Sequence, residues 1–191
     1  MKYILSIFIT LFFISCESNK YESESEYQNC INTKTFEIGI IYPLNTSELE
    51  IEKSVSVFDS IKKFENYLVN GKLLSGINKK DYQSLISRID ENKFLKKEFI
   101  EFNSDNYFIE NNLMTSLFFE VLFYDCVMSS FKAQLHYDFI LRTKDKVQLN
   151  SYPNREILTE LIDKVDFKSE TQRLIITYLV YSNLHWKYQM E

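Results

Sequence analysis

The residues able to carry chemistry are few: two histidines, three cysteines and a handful of acids set inside apolar stretches. Glu120 stands out among them. On a helix its neighbours are Leu117, Phe123 and Tyr124, with Leu113 and Val127 a turn further, so its carboxylate points between apolar side chains. Such a group is costly to bury unless paired or protonated. Arg88, Arg142, Arg155, Arg173 or a tyrosine hydroxyl could pair with it. A structurally paired acid is the favoured reading. A functional acid is the alternative, because one carboxylate with no second acid or histidine beside it makes poor hydrolase machinery.

Asp125, Ser129, Lys132 and His136 stand at i, i+4, i+7 and i+11 and would form one line along a straight helix. They read as a solvated stripe, with a polar groove as the alternative. His185 and Trp186 read as amphipathic packing. No glycine-rich phosphate loop, CxxC, HExxH, GxSxG or paired Glu-x-x-His pattern occurs. No catalytic residue, cofactor site or metal site is therefore assigned, and the expectation is that the protein is not an enzyme.

These residues must be positioned by helices. Three glycines and two prolines supply little material for tight turns and closed β-architectures. A chain of 191 residues with 45% hydrophobic and 26% charged residues is long enough for one folded domain with a sizeable core. The 16 Phe and 13 Tyr mean that large rings fill that core. A formal charge of −5 argues against nucleic acid as a partner, because backbone binding needs clustered cations.

The apolar residues of 112–135 recur at steps of three and four on two faces, which predicts a central helix covered by others. Glu120 and Asp125 interrupt it too often for a membrane span. A break is expected near His136. Before it, Ser47 opens a helix that Gly71 ends, and Asn78 caps a second running to about Asn103. After it, 143–152 reads as a polar connection and Pro153 starts a helix with Ile157, Leu158, Leu161, Ile162 and Val165 on its face. Asp166 or Ser169 caps the last helix, whose face is Leu174, Ile175, Tyr178, Leu179, Tyr181 and Trp186. Residues 35–42, TFEIGIIY, read as a short extended segment, either paired with a β-flavoured stretch at 137–149 or lying across the helices. The expected fold is all-α: a single-domain bundle of about five helices around the central one, with one short N-terminal extended segment.

Lys2, an apolar run from Tyr3 to Ile14, and Ser15 directly before Cys16 have the form of a secretory signal. Phe13, Ile14, Ser15 and Cys16 resemble the lipobox of bacterial lipoproteins, with Phe13 where that family usually has leucine. The resemblance covers only these residues. It implies cleavage before Cys16 and a lipid on that cysteine. Glu17, where an aspartate would favour the inner membrane, points to the outer one. The expected organisation is a signal at 1–15, a lipidated cysteine with an acidic flexible tether at 16–34, and a helical domain at 35–191. Cys30 and Cys126 are then an even pair. The apolar setting of Cys126 favours a buried free thiol, and a disulfide is the alternative. The functional expectation is a membrane-anchored lipoprotein whose domain binds a protein partner, as an immunity-type protein or an accessory of an envelope complex. Its acidity would favour a basic partner. The alternative is an envelope hydrolase using Glu120 or the Asp125/His136 stripe.

Overall fold

A computed structural model describes residues 24–34, 57–90, 96, 99, 124–129, 136–149 and 153–189. The protein is an all-α, single-domain bundle, and no strand occurs among the described residues. Seven helices are seen there: α1 (24–34), α2 (Val57–Asn70), α3 (Lys79–Ser87), α4 (Asp125–Ser129), α5 (Tyr137–Leu149), α6 (Arg155–Ile162) and α7 (Glu170–Gln189). The expected extended segment at 35–42 and most of the expected central helix at 112–135, with Leu117 and Glu120, lie outside the described residues.

Among the described residues the helix buried on most sides is α7. Leu174, Ile175, Ile176, Leu179, Val180, Tyr181 and Leu184 are buried on it, and so are Thr171, Thr177, Ser182, Asn183 and His185. Its expected apolar face was too narrow on one side and too wide on the other, since Trp186 is 39% exposed. α7 packs against α2 and α6, α6 also meets α3 and α5, and α5 meets α4.

Local sequence sets the helix ends. At the end of α2 the amide of Leu73 donates to the Leu68 carbonyl at 2.9 Å and that of Lys72 to Val69 at 3.0 Å, the paired bonds of a Schellman motif. The left-handed position is Lys72, with φ 58°, and not the preceding Gly71. Gly71 continues the helical pattern, its amide donating to the Tyr67 carbonyl at 2.9 Å. Leu68 and Leu73 are both buried, the apolar contact that accompanies this motif.

The cap at Asn78 is as expected, with its side-chain oxygen accepting from Lys80 N at 3.0 Å and Asp81 N at 3.2 Å. The helix it starts is shorter than expected, ending at Ser87. The turn that follows is held from outside: the Ile89 carbonyl accepts from Lys187 Nζ at 2.9 Å, and Arg88 donates to the Leu73 carbonyl at 3.0 Å. Pro153 stands just before the cap Asn154, which accepts from Ile157 N at 3.0 Å, and all five residues of the expected α6 face are buried. Of the two caps offered for the last helix, Ser169 holds it: its hydroxyl accepts from Gln172 N at 3.3 Å, while the Gln172 side chain turns back to Asp166 N at 2.9 Å.

Two expectations fail for the same physical reason. Residues 137–149 are neither β-flavoured nor, from 143 on, a polar connection. They form α5, in which Phe139, Ile140, Thr143 and Val147 continue one buried stripe. Likewise 24–34, the second half of the expected acidic tether, is a helix whose Tyr27 and Ile31 are fully buried. In both, apolar residues a turn apart suffice once a neighbouring surface receives them. The folded domain thus begins by residue 24 and not at 35.

Because Lys72 carries a backbone conformation that costs an L-residue about 1 kcal/mol or more, Lys72→Gly should stabilise the protein by roughly 0.5–1 kcal/mol. The shift in urea midpoint measures it.

Candidate functional site: a buried network centred on Glu65

The described carboxylate that lies inside the protein is Glu65, on α2, with its side chain 3% exposed. It sits a turn after Ile61 and a turn before Leu68, on the buried face of its helix. One oxygen, Oε1, accepts from Arg173 Nε of α7 at 2.8 Å and from the Tyr82 hydroxyl of α3 at 2.7 Å. The Tyr82 oxygen also meets the Thr177 hydroxyl, whose own bond to the Arg173 carbonyl, at 2.9 Å, returns the network to α7. Toward the surface, Arg173 lies 3.7 Å from Glu170, which accepts from Lys62 Nζ at 2.6 Å.

The electrostatics follow from depth. Burial, reinforced by the negative charge of Glu65, holds the Tyr82 phenol well above its ordinary range, so it stays a donor to the carboxylate. The hydrogen bond to Glu170 raises the Lys62 ammonium, but this pair is half-exposed and contributes little to stability. Glu65 and Arg173 are another matter. A buried pair of opposite charges is tolerated only when both are hydrogen-bonded, and removing one strands the other. The arrangement pins three helices together through charge-assisted bonds with fixed directions.

Among the described residues, the fold places Asp125, His136 and His185 in different surroundings. Glu120, Lys132 and Cys16 lie outside the described residues. Asp125 is half-exposed, with a carboxylate oxygen 3.8 Å from Lys34 Nζ. His136 is fully buried, its ring centroid 5.3 Å from that of Tyr27. The two do not share a solvated stripe, because His136 is fully buried while Asp125 is half-exposed. His185 is buried against Tyr181, whose hydroxyl is 3.4 Å from its Nδ1, and near Phe99. Among the described residues no group of three or more His, Cys, Asp and Glu is placed to hold a metal ion.

Cys30 and Cys126 are joined in a disulfide, with Cα atoms 5.7 Å apart and 96 positions between them in sequence. The buried free thiol favoured for Cys126 is thus replaced by a bridge. Cys126 is indeed fully buried, but α1 docks against it and brings Cys30 within bonding distance.

Glu65 was missed, although a signal existed: an acid at i+4 from Ile61 and i−3 from Leu68 falls within the apolar stripe of its helix. Comparisons with protein-family models, with characterised proteins and with solved structures find no match.

Replacing Glu65 by Ala should cost about 3–5 kcal/mol, since it leaves the Arg173 guanidinium unpaired in the interior. Combining Glu65→Leu with Arg173→Met should restore much of that loss, which chemical denaturation of the single and double variants would measure. The raised phenols of Tyr27 and Tyr82 carry a second expectation. Both are protonated in the fold, so their contribution is complete below the unfolded tyrosine value of about 10 and declines as pH rises above it. Stability should fall with alkaline pH, and Tyr27→Phe with Tyr82→Phe should flatten that fall.

Proposed function

We propose that this is an exported protein, held on the membrane by a lipid on Cys16, whose helical bundle works by binding a protein partner. The observation that carries the location is the Cys30–Cys126 bridge. Stable disulfides belong to oxidising compartments outside the cytoplasm, and this one agrees independently with the signal-like segment and lipobox-like residues at 1–16. No described helix is long and apolar enough to cross a membrane, which suits attachment through a lipid. The outer membrane remains the proposed site, on the strength of Glu17 after the cysteine.

The binding role rests on the use the fold makes of its polar groups. Glu65, Arg173, Tyr82 and Thr177 satisfy one another, and His136 and His185 are packed among rings. These groups hold helices together, and a rigid bundle of this kind is a platform for recognition. The partner would be an antagonised protein, as for an immunity-type protein, or a subunit of an envelope complex. The net charge of −5 favours a basic partner through long-range steering. The alternative hydrolase stripe of Asp125 and His136 loses support from the burial of His136 and the exposure of Asp125.

A thiol count tests the anchor and the bridge together. Mature protein from membranes should show no free thiol when denatured and two after reduction, and Cys16→Ser should release the protein from the membrane fraction. One free thiol before reduction in the native protein, or a membrane-bound Cys16→Ser variant, would overturn the anchor. Affinity purification from membranes in mild detergent should recover a stoichiometric protein partner.

A further inference from the structure

We infer that the end of the bundle around the N-terminus of α7 lies toward the bilayer and that the opposite end, carrying Trp186, is turned outward. This orientation rests on the lipid anchor proposed above. It comes from where the chain enters the fold. Glu24, the first described residue of α1, has a carboxylate that accepts from the Ser169 hydroxyl at 2.6 Å, at the cap of α7. One turn later Gln28 donates to the Thr171 hydroxyl at 3.1 Å. Buried Tyr27 and Ile31 seat the helix, and the Cys30–Cys126 bond closes it covalently onto α4. The point of attachment is therefore fixed beside the first turn of α7.

Eight Cα-to-Cα steps separate Cys16 from Glu24, so their Cα atoms are at most roughly 26–29 Å apart whatever the path between them. Trp186 stands 16 positions beyond Glu170 in a continuous helix, which is about 24 Å along the axis. With the C-terminal end of α7 on the bilayer, Glu24 would stand that far above the headgroups, plus the thickness of the helix end. The connection would then have to be pulled straight, which leaves it a single conformation. With the N-terminal end down, no such demand arises, so chain entropy selects that orientation.

The membrane-side end carries both signs of charge: Lys62 with Glu170, exposed Lys164 and Asp166, and Lys168. Headgroup attraction is then not what orients the domain, and the orientation should be insensitive to salt.

The single tryptophan makes the test direct. Lipidated protein extracted from membranes would be reconstituted into phosphatidylcholine–phosphatidylglycerol vesicles containing a dansyl-headgroup lipid, and energy transfer measured from Trp186. The comparison is the variant Trp186→Phe with Lys168→Trp, which moves the donor to the α7 N-terminal end. Transfer should be several-fold greater from position 168, at low and high salt alike. Inserting a Gly/Ser segment of about ten residues between Asn19 and Lys20 should bring the two efficiencies together, because the longer connection reaches either orientation. Equal transfer without the insertion, greater transfer from Trp186, or a ratio untouched by the insertion overturns the orientation while leaving the anchor intact. Protein that does not float with the vesicles overturns the anchor and the orientation with it.

Discussion

Placing α7 inside the bundle means that Arg173, Thr177, Ser182, Asn183 and His185 have to be accommodated away from bulk water. A buried polar group costs several kcal/mol unless it is hydrogen-bonded, so each such residue dictates something about the helices around it. Arg173 requires Glu65, which fixes the rotation of α2. Glu65 in turn receives Tyr82, which fixes α3. Asn183 donates to the Pro153 carbonyl at 2.8 Å, which ties down the chain just before α6. The apolar side chains of α7 supply most of the driving force, but they would accept many rotations of their neighbours. The polar ones accept few.

The N-terminal helix shows the same logic on the outside. Its composition, with acids at Glu24 and Glu26 and polar residues through Gln28, Asn29 and Asn32, is too polar for an independent helix of this length to persist. It forms because Tyr27 and Ile31 have a surface to enter, and because Cys30 is bonded to Cys126. Closing a loop of this length by a bridge removes chain entropy worth about 4–5 kcal/mol from the unfolded ensemble, on the chain-entropy account. The carboxylate of Glu24 beside the first turn of α7 adds a favourable interaction with the positive end of that helix.

The polar network and the bridge together make the bundle a rigid body. Rigidity of this sort suits recognition, where ordering a surface in advance lowers the cost of binding. It also means that α1 and the first turn of α7 form one mechanical unit.

Much of the fold was legible in the chain. The all-α class follows from scarce Gly and Pro and from three-and-four spacing. The caps at Asn78 and Ser169 and the buried face of α6 follow from local patterns, because capping and amphipathicity are settled within a turn or two of the residue concerned. What tertiary structure alone decided are the matters that join distant segments. The stretch at 143–149 looked polar until Thr143 and Val147 had a surface to face, and 24–34 looked like a tether until Tyr27 and Ile31 had one. Asn78 marked where α3 starts, but its end at Ser87 is held by Lys187 and Leu73. Cys30 and Cys126 are 96 positions apart, and Glu65 and Arg173 are separated by 108. Spacing within a helix shows which residues share a face, but a charge or a thiol finds its partner only when two helices are brought together, and that choice belongs to the packing of the whole chain.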